Sequence, residues 1–257
     1  MKIATWNVNS IKARLPRVCE WLESAQPDVV LLQELKCQTE AFPYEAIEDA
    51  GYQAAVFGQK TYNGVAILAR GGIEDVTCGN PYFEDAQARV IEAVVDGQYR
   101  VISVYVPNGE AVGTEKYAYK LAFFEGFAKL LEDRLRFGEK LIVGGDFNVA
   151  PADLDVYNPE TWRGRVLCST PERLALRSLI NLGLTDVLRA QNPQAEGLYT
   201  WWDYRSGGFP QNHGLRIDHL LLSAKAMDAA SGAGVDRDTR GCERPSDHAP
   251  VWVSLKE

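Results

Sequence analysis

Leu141-Ile142-Val143-Gly144-Gly145-Asp146-Phe147-Asn148 is the stretch on which the reading of this sequence turns. Leu141–Val143 has the branched, apolar character of a short buried strand, and it runs straight into a carboxylate and an amide. A polar group at a strand end is held rigidly while it faces open space, as a catalytic group must be. The same arrangement recurs along the chain. A strand over Lys2–Trp6 ends in Asn7 and Asn9, one over Asp28–Leu32 ends in Gln33-Glu34, one over Arg216–Leu222 carries Asp218, and Ser246-Asp247-His248 precedes a last strand over Ala249–Val253. Taken singly, each of these residues reads as an ordinary turn or cap. Five such strand ends in one chain point to a site.

The segments between them supply the layers. Ile11, Leu15, Val18, Leu22 and Ala25 follow the spacing of an amphipathic helix, with Pro16 expected in its first turn, where the missing N–H costs nothing. Strand-like runs cover Tyr52–Phe57, Gly64–Ala69, Val90–Val95 and Arg100–Val106, and Asp96-Gly97 is a hairpin signal between the last two. Thr114 is placed to cap a long helix with Tyr117, Leu121, Phe124, Ala128, Leu131 and Leu135 on one face, ended by Gly138. Thr170 and Pro171 open a further helix that stops at Gly183. Hairpins and helices in this order predict two mixed, mostly antiparallel sheets packed face to face with helices outside. The 257 residues contain no low-complexity linker, so a single catalytic domain over 1–257 is expected.

Hydrophobic residues make up 46% of the chain and charged residues 24%, ordinary for a globular protein. No apolar run spans a bilayer, and the start has no leader-like apolar core, which predicts a cytoplasmic protein without a membrane partner. Cys19, Cys37, Cys78, Cys168 and Cys242 are odd in number and widely spaced, which suggests neither a disulfide framework nor a zinc site. A net charge of −8 argues mildly against nucleic acid. Acidic metal ligands nevertheless add negative charge that a metal offsets locally, and a small basic face can still hold a duplex.

Glu34, Asp146, Asp247, Asn7 and Asn148 offer hard oxygen atoms, and no Cys or His cluster competes with them. That donor set favours magnesium, with manganese able to substitute, over zinc. Magnesium takes few protein carboxylates, which leaves other groups free to orient a water and support the phosphorus. Asp247-His248 suggests a carboxylate bonded to an imidazole, which would fix its tautomer and favour the charged ring. His213 and His219 are given no catalytic role.

These residues, in this order, strongly resemble the exonuclease III family of apurinic/apyrimidinic endonucleases, within the endonuclease/exonuclease/phosphatase superfamily. The matching stretches are Thr5–Asn9, Gln26–Lys36, Tyr105–Gly109, Gly145–Asn148, Gly214–Asp218 and Pro245–Pro250, which span nearly the whole chain. The resemblance implies a four-layered α/β sandwich with its active site at one end of the two sheets. It implies Glu34 as the principal metal ligand, with Asn7 and Asp247 nearby. Asp146 then positions or deprotonates the attacking water, Asn148 and His248 hold phosphate oxygens, and Tyr105 contacts the phosphate as phenol or phenolate. Asp218 is a support residue and Asp247 orients His248. Between Asp146 and His248 the general base stays open, as does a one- or two-metal mechanism.

By the same resemblance the partner is double-stranded DNA with abasic sites or 3′ ends, acted on by a monomer. The enzyme would cut 5′ to an abasic site, leaving a 3′ hydroxyl, and remove nucleotides or blocking groups from 3′ ends. The segment Tyr199–Ser206 with Leu215–Asp218 resembles the family's abasic-pocket region, with Trp201, Leu215 and Ile217 as pocket candidates. Asn108 is a candidate DNA contact, and Lys36, Lys60, Tyr62, Asn63, Arg163, Arg165 and Arg205 are candidate phosphate contacts. The loop between Pro151 and Cys168 is poorer in Lys and Arg than in the best-known bacterial member, which leaves the balance of exonuclease and endonuclease activity open. The alternatives are a small-molecule phosphodiesterase or phosphatase, or a non-specific deoxyribonuclease, of the same fold. A binding protein with a dead site is disfavoured by the intact Glu34, Asp146, Asn148, Asp218 and His248.

Overall fold

The computed structural model describes residues 1–256, at Ser206 in backbone alone. Its first six-stranded sheet runs, in spatial order, Ala230–Val235, Val251–Leu255, Lys2–Asn7, Val29–Gln33, Val65–Ala69 and Gln53–Phe57. The second six-stranded sheet runs Ile73–Cys78, Val90–Val95, Tyr99–Tyr105, Lys140–Asp146, Asp218–Ser223 and Leu184–Asp186. Each sheet has one parallel pair near its centre, Lys2–Asn7 with Val29–Gln33 and Tyr99–Tyr105 with Lys140–Asp146, while its other pairings are antiparallel.

Strict alternation of apolar side chains produces the layers. Ile3, Val29, Leu31, Val65 and Ile67 point inward against Ile91, Ala93, Val101, Ile142 and Leu220 of the facing sheet. The residues between them face the other way. Ala4, Trp6, Val30, Leu32, Ala66 and Leu68 pack under the helix Ile11–Ala25. Ile102, Val104, Val143 and Leu221 pack under the helices Glu115–Leu135 and Thr170–Asn181. Period-two apolar alternation on both faces of a sheet can be satisfied only by covering both faces, which gives helix, sheet, sheet, helix. Gly144 is the point of closest approach: a Cβ there would lie 2.7 Å from Leu31 Cδ1 and 2.8 Å from Leu220 Cδ2.

Several elements depart from the sequence expectation. Pro16 lies inside the helix, beyond its first turn, because the helix begins at Ile11 under a Ser10 cap whose hydroxyl accepts from Ala13 N. Pro16 and Lys12 are both exposed, so the carbonyl that loses its partner is open to water, which moderates the cost of an interior proline. In the long helix, Leu121, Ala128 and Leu135 are only half-buried, while Phe123, Phe127 and Leu130 are buried. Three further strands join the two large sheets, at Ile73–Cys78, Leu184–Asp186 and Ala230–Val235, and Trp201–Trp202 pairs with Gly214–Leu215 in a separate two-stranded sheet. The first is a largely exposed, polar edge, the second is three residues long, and the third is built of small residues around two glycines.

Behind the site, a buried ionic network ties the strand-end loops together. Arg216, fully buried, donates from Nε to Asp155 Oδ1 at 2.7 Å and from Nη1 to Asp186 Oδ2 at 2.6 Å, and Arg189 reaches the same Asp155 oxygen at 2.6 Å. Replacing Asp155 by alanine should lower the unfolding free energy by about 3–5 kcal/mol, because it leaves the buried Arg216 with Asp186 alone and takes from Arg189 its carboxylate partner. Urea denaturation measures this, and a loss under about 1 kcal/mol would show that water reaches the network.

Candidate active site

Strand register assembles the site. Asn7 stands opposite Gln33 at the ends of one parallel pair, and Tyr105 opposite Asp146 at the ends of the other. Antiparallel pairing then sets the first residue of its strand, Asp218, opposite Asp146. Polar ends of both sheets thus meet at one rim of the sandwich. The backbone there is unusual for residues other than glycine: Asn9, Glu34, Lys36 and Asn148 have φ of 45°, 53°, 53° and 51°. Asparagine tolerates this region, but glutamate and lysine enter it only when their surroundings hold them. Those surroundings are bonds between adjacent loops: Ser10 N to Glu34 O at 2.8 Å, Leu35 N to Gly64 O at 3.1 Å and Lys36 N to Asn63 O at 2.9 Å.

Two polar groupings meet at Asn7, whose Nδ2 donates to Asp146 Oδ2 at 2.9 Å and to Glu34 Oε1 at 3.3 Å. On the Glu34 side, the Tyr105 hydroxyl donates to Glu34 Oε1, and Lys36 Nζ lies 2.9 Å from Glu34 Oε2 and 2.6 Å from Asn9 Oδ1. Burial together with the nearby Glu34 and Asp146 carboxylates holds the Tyr105 hydroxyl well above its ordinary pKa, so it is a phenol. On the other side, His248 Nδ1 donates to Asp218 Oδ2 at 2.8 Å, and its Nε2 lies 3.7 Å from Asp146 Oδ2. Burial disfavours the charged ring, but Asp218 and Asp146 outweigh it and raise His248 to about 10. Burial raises Asp146 to about 7, with the Asp218 and Glu34 charges adding to the rise and His248 opposing it. Asn148 is tied to this pair: its backbone N–H reaches Asp146 Oδ1 at 2.8 Å, and its Nδ2 donates to Val106 O at 3.0 Å.

One expected contact is corrected. Asp247 does not orient His248; Asp218 does. Asp247 Oδ1 instead accepts from Asn9 Nδ2 at 2.8 Å and Oδ2 from Trp201 Nε1 at 3.0 Å. Asp247 lies at a bend and His248 in an isolated bridge with Trp201, and the two side chains face different neighbours. Burial acts against ionisation of Asp247, but the His248 charge and the two donors prevail and lower its pKa. Thr200 is a member that the sequence reading missed. Its hydroxyl donates to Asp218 Oδ2 at 2.6 Å and accepts from the backbone of Ile217 and Asp218 at 3.1 Å. Nothing in a lone threonine marks such a role. Ser246, which the Ser246-Asp247-His248 run placed at the site without a role, bonds Asn7 O at 2.7 Å through its hydroxyl. His219, buried against Arg216 and Val149 O, and His213, stacked on Tyr157, lie outside the polar cluster.

The site opens into a groove of about 1290 Å³ whose walls include Tyr62, Asn63, Asn108, Trp201 and Arg205. Arg205 and Tyr62 are exposed and line the groove, while Lys60, Arg163 and Arg165 are exposed and are not among its lining residues. Lys36 is engaged with Glu34 rather than free. Leu215 and Ile217 are buried in a small cluster against which Trp201 packs half-buried, so Trp201 presents the apolar surface and the two aliphatic side chains support it from beneath. Within the same aromatic segment, the side chain of Ser206 lies outside what is described.

The donor chemistry fits a hard divalent cation. Carboxylates and amides crowd together in a largely buried cluster, where burial, with the Asp218 and Glu34 charges, raises the Asp146 carboxyl to about 7. Asp146, Asp218 and His248 can bring three ligand atoms within 4.8 Å of one another. His248 Nδ1 is already committed to Asp218, however, so that trio serves to charge and orient the ring. Glu34, with Asn7 and Asp146 beside it, is the better oxygen-rich cradle. All five cysteines are free thiols and stand apart from it, and among the described residues no helix is long and apolar enough to cross a membrane.

Known proteins bear on this arrangement. A model of the endonuclease/exonuclease/phosphatase family matches residues 4–248. The chain is 38% identical over 267 residues to exodeoxyribonuclease III of Haemophilus influenzae, with 100% of each covered. Among solved structures, a 3′–5′ exonuclease (NExo) from Neisseria meningitidis superposes with a TM-score of 0.97 at 46% identity, with 100% of each chain covered. An AP endonuclease from Archaeoglobus fulgidus does so with a TM-score of 0.96 at 35% identity, again over 100% of each. The ordered motifs, the four layers and the end-to-end identity agree that the chain belongs to the endonuclease/exonuclease/phosphatase family, beside the exonuclease III group of AP endonucleases.

Proposed function

We propose that this chain is a DNA-repair hydrolase that cuts the phosphodiester 5′ to an abasic site, leaving a 3′ hydroxyl, and clears nucleotides or blocking groups from 3′ ends. The observation that carries this reading is a buried acid beside a buried imidazolium, next to a groove lined by Tyr105, Asn108 and Trp201, each of which bonds a residue of that cluster. Asp146 is the general base: a carboxyl raised to about 7 is basic enough to take a proton from water near neutral pH. His248 is the wrong ionisation state for that task. Its charged ring instead offers Nε2–H to a phosphate oxygen as negative charge accumulates there. The Asn148 amide and the Tyr105 phenol, which in this structure donate to Val106 O, Asp146 and Glu34, would add donors to the phosphate by exchanging those partners, and Asn7 fixes the Asp146 carboxylate. Magnesium, or manganese in its place, would be held by Glu34, with Asn7 beside it. When bound it would neutralise the phosphate and stabilise the leaving 3′ oxygen.

The test is a duplex oligonucleotide carrying one abasic analogue, beside a duplex ending in a 3′ phosphate, each assayed with magnesium or with chelator. We expect cleavage 5′ to the lesion, a 3′ hydroxyl on both products, and no turnover in chelator. Preference for a soluble phosphate ester over both duplexes would replace this reading with that of a small-molecule phosphatase.

Trp201 provides the damage-specific surface in this reading. A base-free sugar packs against its exposed face, and losing such a contact costs about 1–3 kcal/mol by analogy with base stacking. Trp201→Ala should therefore lower kcat/KM on abasic duplex about five- to 150-fold. It should do so without shifting the magnesium dependence. An equal fall on a minimal phosphodiester would mark Trp201 as a support for Asp247 alone.

A further inference from the structure

Outside the reacting groups, a lysine in the long helix is fully buried with every one of its donors engaged. Lys120 is 0% exposed, and its Nζ donates to Asn108 O at 3.1 Å, to Asn148 O at 2.7 Å and to a Glu172 carboxylate that is also 0% exposed. An ammonium has three donors, and all three are used. Its stem packs on Gly109, where φ is +91° and a Cβ would stand 3.0 Å from Lys120 Cδ. The two carbonyls it holds belong to different loops, one after the strand Tyr99–Tyr105 and one after Lys140–Asp146. The side chains of those two residues also meet, Asn108 Nδ2 donating to Asn148 Oδ1 at 3.1 Å. Asn148 sits in the left-handed region at φ 51°, which turns its carbonyl toward the helix and leaves it needing a buried donor.

We propose that Lys120 is a positioning residue: its ammonium clamps the Asn108 and Asn148 carbonyls together and so fixes the pose of the Asn148 side-chain amide beside Asp146. The inference rests on the hydrolase reading above for its effect on rate, and on geometry alone for the clamp. Surface charge is the ordinary role of a helical lysine, yet here no part of the side chain reaches water. A counter-ion for Glu172 would need one contact, and the other two donors are spent on the loops that carry the reacting amides. Glu172 is itself committed to the loop before its helix, accepting from Leu167 N at 3.0 Å and Ser169 N at 3.1 Å. The ion pair therefore links the helix, both strand-end loops and the Leu167–Ser169 turn.

Lys120→Met keeps the stem and removes the donors. With the Asn148 amide released, kcat on abasic duplex should fall about 10- to 100-fold with KM nearly unchanged, the signature of a misplaced group rather than lost binding. Because this variant leaves Glu172 buried without a cation, Lys120→Met/Glu172→Gln is the control for folding. The clamp predicts that the double variant regains thermal stability but not kcat. Recovery of both together overturns the proposal and leaves Lys120 as a counter-ion only. In an Asn148→Ala background the same pair of substitutions should cost less than about twofold more, because the group it positions is gone; a full multiplicative loss overturns the proposal. The side-chain amide ¹H–¹⁵N resonances of Asn108 and Asn148 in the double variant test the clamp whatever the substrate proves to be, and unmoved resonances overturn it. Inactivity of the unmodified protein on both duplexes would count against the hydrolase reading and not against the clamp.

Discussion

Asp146→Asn should reduce kcat on abasic duplex by about 10²–10⁴, the usual loss when a positioned base is removed. The substitution keeps the shape of the side chain. The amide oxygen can keep the bond from the Asn148 backbone, while the NH2 takes the place of the oxygen that accepts from Asn7, so circular dichroism should be unchanged and thermal unfolding should shift only modestly. Duplex binding should persist or tighten, since a negative charge has been taken from beside a phosphate. The pH profile separates a base from a mere ligand. In the unmodified enzyme the rate should rise with pH as Asp146 ionises near 7, and a bound divalent ion should move that limb to lower pH. The variant should lack the limb altogether. A loss below about tenfold, or an unchanged acid limb, would remove Asp146 from the chemical step.

Much of this site was legible because strands write their ends plainly. The branched runs before Asn7, Glu34 and Asp146 alternate faces, and parallel pairing of two such strands obliges their polar ends to share a rim. What the sequence hid follows from the same geometry. Adjacency suggested that Asp247 serves His248, whereas the strand pairing that brings Asp218 opposite Asp146 creates the true partnership across 30 positions. Long-range register of this kind has no local signal. Lys120 was hidden for another reason: a lysine on a helix reads as solvated, and only a turn folded over it from elsewhere makes it a buried tether. Leu215 and Ile217 read as pocket walls because their segment resembles the family's abasic-pocket region, but Arg216 lies between them. The arginine, held by Asp155 and Asp186, instead fixes the strand so that both aliphatic chains lie beneath Trp201. Edge strands escaped notice where exposure, brevity or small residues erased the apolar pattern.

Asp218→Asn should be nearly as damaging as loss of the base, although Asp218 reaches no substrate in the proposed mechanism. Its carboxylate is buried, is fixed by Thr200, and is the nearest negative charge to the His248 ring. Burial alone would favour a neutral imidazole, and Asp218 is the foremost of the charges that reverse this and hold the ring protonated up to about 10. An asparagine keeps a hydrogen bond but supplies no charge, so the ring should lose its proton at lower pH and can turn to a tautomer that presents a bare nitrogen to the phosphate. We expect kcat to fall by about 10²–10⁴. In metal-free protein, ring resonances of His248 should stay those of the cation throughout the neutral range in the unmodified chain and titrate markedly earlier in the variant; His213→Gln and His219→Gln make the assignment. The effect on stability has a defined sign. A folded pKa raised above the ordinary value of about 6.5 contributes stability that is complete below that pH and lost as pH climbs toward about 10. The stability gap between unmodified protein and Asp218→Asn should therefore be widest at mildly acid pH and narrow steadily on the alkaline side. A ring that titrates identically in both proteins, with a rate loss under about tenfold, would show that Asp218 only fills space beneath His248.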